Sequence, residues 1–143
     1  MRDKLIYLSG AISNIPEEEA YRWRDDIIET FNQIDVPWLH IFNPLEHFSN
    51  LKLELNLCTN EDIMNLEIHK LRKSDIVFYN CKHSNSLGSM AELAIAYDRG
   101  IPILAFNESN EELHPWIKCM CTKIFKSKED LIIYYIDHYM YDN

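Results

Sequence analysis

Three residues in this sequence are of types that could do chemistry: Glu92, Tyr7 and Glu67. Glu92 lies in an otherwise apolar segment, residues 90–97. A carboxylate there costs stability unless it is exposed to solvent, paired with a polar or charged group, or part of a functional site. Tyr7 places a phenol near the end of the first apolar run, residues 4–9. Glu67 flanks an apolar helical stripe, from which it can point toward the edge of a sheet. Carboxylates in such settings can trap a cationic reaction centre or deliver a proton.

Each of these residues also has an ordinary structural interpretation. Glu92 could be a glutamate near the start of a helix, stabilised by the helix dipole. Tyr7 could be a core tyrosine whose hydroxyl reaches the edge of the core. Glu67, taken alone, is typical of a solvated charge. The residue types therefore leave a catalytic and a structural interpretation open.

Two segments rich in serine and glycine could bind an anion. They read Ser9-Gly10-Ala11-Ile12-Ser13 and Ser84-Asn85-Ser86-Leu87-Gly88-Ser89. Hydroxyls, glycines and the free amides of a helix start can hold a phosphate without any lysine. The same serines could instead be helix caps and turn formers.

Glycine is scarce in this chain. It occurs three times, at Gly10, Gly88 and Gly100, whereas a usage of roughly 7% predicts about ten. Each lies at a junction between a predicted strand and a predicted helix. We therefore expect each glycine where a Cβ would clash, in a tight turn or close to a ligand.

The elements that must position these residues alternate between strand and helix patterns. Strands are predicted at residues 4–9, 38–42, 75–79, 101–106 and 123–125, and helices at about 16–34, 59–73, 87–99 and 127–139. Residues 45–58 have a weak pattern and are predicted as a loop or lid with a short helix. This alternation predicts one α/β domain over residues 1–143, with three layers and a flavodoxin- or Rossmann-like parallel sheet of five strands flanked by helices. Ligands bind such sheets at the carboxyl ends of the strands, beside the reversal of strand order.

Composition excludes several classes of protein. A chain of 143 residues that is 47% hydrophobic and 26% charged is typical of a folded globular protein. Lys and Arg number 14 against 23 Asp and Glu, a net charge of −9, which argues against a nucleic-acid polymer or an anionic membrane as partner. No run reaches the roughly 20 apolar residues of a membrane span, and the start lacks a secretory pattern. We expect a cytoplasmic protein.

The four cysteines, Cys58, Cys81, Cys119 and Cys121, have no paired spacing. Free thiols buried in the core of a protein from a reducing compartment are therefore expected. Cys119 and Cys121 with His114 could form half of a zinc site, but no second ligand pair follows at a familiar spacing. We predict no metal site.

An ordered set of motifs resembles the nucleoside 2-deoxyribosyltransferase superfamily. That family includes base-exchanging transferases and 2′-deoxynucleoside 5′-monophosphate N-glycosidases. The resemblance spans residues 4 to about 126, and its most specific part is Leu-Gly-x-x-x-Glu-Leu after a strand. The motifs are Ile6-Tyr7-Leu8-Ser9-Gly10-Ala11-Ile12, Phe42-Asn43-Pro44, Ser74-Asp75-Ile76-Val77, Ser86-Leu87-Gly88-x-x-x-Glu92-Leu93-x-x-Ala96 and Gly100-Ile101-Pro102-Ile103.

The resemblance implies roles for the candidate residues. Glu92 would be the nucleophile and Tyr7 the residue that orients it. Glu67 stands where the family usually has an aspartate that handles the base and its proton, so the side chain is longer by one methylene. Ser86 stands where nucleoside transferases tend to have an aspartate and monophosphate glycosidases a serine, which favours a nucleotide substrate. Ser13 stands where those glycosidases can use a basic residue, which weakens that inference.

The implied activity is cleavage or transfer of the N-glycosidic bond of 2′-deoxynucleoside 5′-monophosphates, without metal or organic cofactor. The alternatives are transfer between unphosphorylated nucleosides and a non-catalytic module that senses or sequesters a nucleotide. A homodimer or larger homo-oligomer is implied, with His114 approaching the phosphate of a neighbouring subunit. Large side chains that could form the interface are Trp116, Ile117, Tyr134, Tyr135, Tyr139 and Tyr141.

Overall fold

The chain alternates strands and helices along its whole described length. A computed structural model describes residues 2–47 and 57–142. The strands are β1 (Lys4–Ser9), β2 (Leu39–Phe42), β3 (Ile76–Asn80), β4 (Ile103–Phe106) and β5 (Lys123–Phe125). The helices are α1 (Glu17–Ile34), α2 (Pro44–His47), α3 (Asn60–Lys73), α4 (Leu87–Asp98), α5 (Pro115–Met120) and α6 (Lys128–Tyr135), followed by a π-helical turn, Ile136–Met140. Residues 48–56 of the predicted loop or lid lie outside the described residues.

The five strands form one parallel sheet in the order β2-β1-β3-β4-β5. Tyr7 is opposite Phe42 of β2 on one side and Val77 of β3 on the other. The chain passes from β1 to β2 and then returns to the other side of β1, so strand order reverses between β1 and β3. The predicted flavodoxin-like α/β sheet is confirmed, and the carboxyl ends of β1 and β3 lie at its switch point.

Helices cover both faces of the sheet, which explains why the strands are apolar without alternation. On one face, Ile6 and Leu8 belong to a core that includes Trp23 of α1 and Leu131 of α6. On the other face, a second core contains Tyr7 and side chains of α3, α4 and α5, among them Leu93. Alternate residues of β1 therefore point to opposite layers, and Tyr7 and Ser9 share one side of the strand.

Local signals fixed several helix starts as expected. A capping box begins α3: the Asp62 amide donates to Thr59 Oγ1 over 3.1 Å, and the Thr59 amide donates to Asp62 Oδ2 over 2.8 Å. Helix α1 differs, because Pro16 is its N-cap and no side chain caps it. The fourth strand begins two residues later than predicted, since the Ile101 amide turns back to the Ala96 carbonyl at the end of α4.

The C-terminal aromatic residues mostly complete the protein's own core. Tyr135 and Met140 are buried, and Tyr134 and Tyr139 pack against the same cluster. Tyr135, like Ile117 of α5, is therefore too deeply buried to form the predicted interface, because α6 and the π-helical turn lie against the sheet, whereas Tyr134 and Tyr139 are partly exposed. Tyr141 is 60% exposed.

The glycines and cysteines do not all have the surroundings expected from the sequence. A Cβ on Gly10 would lie 2.8 Å from Trp23 Cζ2, and Gly100 has a φ of +72°, so both satisfy the expectation. A Cβ on Gly88 would meet no atom of residues 2–47 and 57–142 within 4 Å, so a close approach to a ligand stays a prediction for this glycine. All four cysteines are free, but Cys119 is exposed rather than in the core.

In the described ranges, no helix is both long and apolar enough to cross a membrane.

Candidate active site

The Glu92 carboxylate is held by two hydroxyl groups from the carboxyl end of β1. Ser9 Oγ donates to Glu92 Oε1 over 2.9 Å, and Tyr7 OH donates to Glu92 Oε2. The alternation of the strand places both donors on the side that faces α4. Tyr7 is fixed in turn by stacking on Phe42, with ring centroids 5.2 Å apart. The structure thus brings together three of the predicted site residues in direct contact.

Glu92 reaches this position because of how α4 lies on the sheet. Ser89, Leu93 and Ala96 are the buried residues of the helix, and Glu92 lies one turn after Ser89, beside that buried side. Burial raises the pKa of the Glu92 carboxyl, while the hydrogen bonds from Tyr7 and Ser9 oppose the rise. The two hydroxyls therefore stabilise the ionised form that a nucleophile needs.

Tyr7 remains a hydrogen-bond donor throughout the accessible pH range. Burial, and then the neighbouring Glu92 charge, raise the pKa of its hydroxyl far above the ordinary value. A neutral phenol that donates to Glu92 orients the carboxylate without competing as a base. Tyr7 is fully buried, so the hydroxyl keeps one geometry.

Glu67 supplies a second carboxyl group to the same region. It lies on α3, half-buried, and burial followed by the nearby Glu92 charge raises the pKa of Glu67 to about 7. Near neutral pH Glu67 therefore carries a proton in part of the molecules, beside a Glu92 carboxyl group that accepts hydrogen bonds from Tyr7 and Ser9. An acid beside a nucleophile is the pair that displacement of a poor leaving group requires.

The N-terminus of α4 is open beside Glu92. Ser86 is its N-cap, and its Oγ accepts from the Ser89 amide over 3.4 Å, so the capping interpretation of Ser86 holds on this chain. Ser89 Oγ is buried and has no hydrogen-bond partner among the described residues. Among the residues that the structure describes, none has an atom within 4 Å of a Cβ added to Gly88, apart from its own neighbours along the helix. These amides and hydroxyls could receive an anion.

The loop after β1 is mainly a packing feature. Gly10 and Ala11 are buried, whereas Ile12 and Ser13 are exposed. Gly10 is required because the Trp23 ring lies against it. A contact of these four residues with a ligand stays a prediction.

His114 lies outside the hydrogen-bonded group of Glu92. It is an exposed N-cap of α5, and its Nδ1 accepts from the Trp116 amide over 3.1 Å. The interpretation of His114 as a surface histidine at a helix start therefore holds within one chain. Among residues 2–47 and 57–142, no group of three or more potential ligand side chains is placed to hold a metal ion.

Sequence reasoning missed three basic side chains, Lys82, His83 and Arg24. Lys82 Nζ and His83 Nε2 lie 2.7 Å and 3.1 Å from the two carboxylate oxygens of Glu19, which ties the loop after β3 to the first turn of α1. Arg24 is buried on α1, and its charge opposes the rise that burial causes in the pKa of Glu92 and of Glu67. The signal for Arg24 was its spacing, since it lies four residues after buried Ala20.

Comparison with known proteins identifies the fold through solved structures. No model of a known family matches the sequence, and no curated protein matches it. A 2-deoxyribosyltransferase from Bacillus psychrosaccharolyticus is similar in structure, with a TM-score of 0.69, 18% identity, and 96% of this chain and 93% of that chain covered.

Two further solved structures are similar over nearly the whole chain. A conserved protein from Enterococcus faecalis V583 has a TM-score of 0.75 at 17% identity, over 92% of this chain and 96% of that one. A CMP N-glycosidase from Clostridium botulinum has a TM-score of 0.57 at 16% identity, over 94% and 99%. The protein therefore has the α/β fold of the 2-deoxyribosyltransferases, which the N-glycosidase shares.

Proposed function

We propose that this protein is an enzyme that cleaves or transfers the N-glycosidic bond of 2′-deoxynucleoside 5′-monophosphates. The observation that carries the proposal is the Glu92 carboxylate held by Tyr7 and Ser9 at the switch point of the sheet, with Glu67 beside it. The similarity in fold to a deoxyribosyltransferase and to a nucleotide N-glycosidase supports the same class of reaction.

The reaction follows from the charge states of the two carboxyl groups. Glu92 attacks C1′ of the sugar, the bond from C1′ to the base breaks, and its electron pair leaves with the base. Protonated Glu67 delivers a proton to the departing base, and the transition state has oxocarbenium character. Water or a second base then attacks C1′, Glu67 takes up the proton of that acceptor, and Glu92 is released.

The substrate class is inferred from the start of α4. Ser86 and the amides around Gly88 offer neutral donors where a carboxylate would repel a phosphate. The open space beside Gly88 leaves room for the ligand to approach the backbone. Transfer between unphosphorylated nucleosides is the alternative, favoured by the similarity to a 2-deoxyribosyltransferase.

A panel of deoxynucleoside monophosphates and the matching nucleosides tests this proposal. Release of free base is followed by chromatography, with and without an added acceptor base, for the wild type and Glu92→Gln. We expect base release from a monophosphate that Glu92→Gln abolishes. Equal kcat/KM for nucleoside and monophosphate would refute the substrate class, and tight binding without base release would instead indicate a binding module.

A further inference from the structure

Arg24 is a buried cation that forms no salt bridge with a carboxylate of the described residues. Its side chain is 0% exposed, and Nη1 and Nη2 donate to the carbonyl oxygens of Ala20 and Gly10 over 2.7 Å and 3.0 Å. The guanidinium lies 4.4 Å from the centroid of the Trp23 ring. Nε is buried without a hydrogen-bond partner among the described residues. A fully buried guanidinium held by two carbonyl groups costs stability rather than adding to it.

The charges that face Arg24 belong to the candidate site. In the described chain, the groups that act on it are Glu92, Tyr7 and Glu67. Burial lowers the pKa of Arg24 to about 10, so the guanidinium remains charged at neutral pH. Its charge opposes the rise in pKa of each of the three groups.

We propose that Arg24 is a positioning residue: through the Gly10 carbonyl it fixes the end of β1 that carries the Ser9 donor, and its buried charge stabilises the Glu92 carboxylate that Ser9 holds. Two carboxyl groups in one partly buried site favour uptake of a proton, and a nearby fixed cation opposes that uptake. No hydrogen bond joins Arg24 to Glu92, so the carboxylate oxygens remain available to Tyr7, Ser9 and the sugar carbon. A direct salt bridge would occupy the oxygen that must attack.

The contact with Gly10 gives Arg24 a second, geometric effect. Gly10 follows Ser9, whose hydroxyl donates to Glu92. By fixing the Gly10 carbonyl, Arg24 limits rotation of the chain at the residue that positions the Ser9 donor. Charge and geometry can be separated, because lysine retains the cation but loses the planar fork that spans two carbonyl groups.

The pH dependence of base release tests this inference, which rests on the proposed function. The variants are Arg24→Met and Arg24→Lys, with Arg22→Met as matched control, because Arg22 is an exposed arginine of the same helix paired only with Glu18 in the described chain. In Arg24→Met we expect the acidic limb of kcat/KM to move to higher pH, and kcat at acidic pH to fall by about tenfold or more. We expect the KM of Arg24→Met to change little. The acidic limb of Arg24→Lys stays near its wild-type pH, and Arg22→Met has the pH profile of the wild type. A folded Arg24→Met with an unmoved acidic limb would overturn the proposal.

A second measurement is independent of activity. Thermal unfolding near pH 8 compares the effect of Arg24→Met in the wild-type and Glu92→Gln backgrounds. We expect a smaller loss of Tm in Glu92→Gln, where no charge needs compensation, and equal losses would refute the electrostatic role. If the wild type releases no base, the proposed function fails and this comparison still decides the role of Arg24. If Arg24→Met folds in neither background, a carboxyl-carbon NMR titration of the neutral variant Arg24→Gln decides: Glu92 titrating at higher pH than in the wild type supports the role, and an unmoved titration refutes it.

Discussion

Replacing Glu67 by glutamine should stabilise the protein, but only above mildly acidic pH. The pKa of Glu67 rises from the usual 4.5 to about 7 in the folded protein. The folded state therefore keeps a proton that the unfolded chain releases, and stability is lost as pH rises through this window. At about 1.4 kcal/mol per pH unit, the full difference corresponds to about 3 kcal/mol. Because Glu67 is only half-buried, solvent screening reduces the expected gain of Glu67→Gln to roughly 1–2 kcal/mol.

Urea unfolding at about pH 4 and about pH 8 measures this gain directly. Glu61→Gln is the matched control, since Glu61 is an exposed glutamate in the first turn of the same helix. We expect Glu67→Gln to equal the wild type at low pH and to exceed it at high pH, while catalysis falls because glutamine delivers no proton. The same gain at both pH values, or no gain, would refute the argument that Glu67 is held protonated by burial and by Glu92.

Four further substitutions test separate parts of the account. Gly10→Ala should cost about 1–3 kcal/mol of stability, because its Cβ strikes a buried tryptophan ring. Gly88→Ala should leave thermal stability unchanged or higher, yet raise KM for a monophosphate. An unchanged KM would show that the phosphate does not bind beside Gly88. Ser86→Asp should erase the preference for the monophosphate by like-charge repulsion, whereas Asn85→Asp should not. His114→Ala should raise KM for the monophosphate about threefold or more in a homodimer, and a fully active monomer by light scattering would exclude a shared site.

The fold could be predicted from sequence because its signals are local. Each of these signals depends on residues a few positions apart. They are the apolar runs of β1 and β3, the capping residues Thr59 and Asp62, and the alternation of strand-like and helix-like hydrophobic periods. The pairing of Tyr7 with Glu92 was implied by the family resemblance, and the structure brings the two side chains into contact. That contact joins residues far apart in sequence, so local patterns could not indicate it.

The features that sequence missed depend on tertiary packing. Arg24 was overlooked because hydropathy assigns arginine to the surface, although its helical spacing places it on the buried side of α1. Gly10 and Gly88 were treated alike, but one is required by the Trp23 ring and the other is open. The aromatic tail was assigned to an interface since nothing local shows that Tyr135 fills the protein's own core.

The most direct test of the central claim is a covalent adduct on Glu92. Wild-type protein is mixed with a deoxynucleoside monophosphate, quenched with acid within one turnover, and digested for peptide mass spectrometry. The account predicts a 5-phosphodeoxyribosyl group on the peptide that contains Glu92, and no adduct in Glu92→Gln. Base release without any adduct, together with a Glu92→Gln variant that retains about a tenth or more of the wild-type rate, would contradict it.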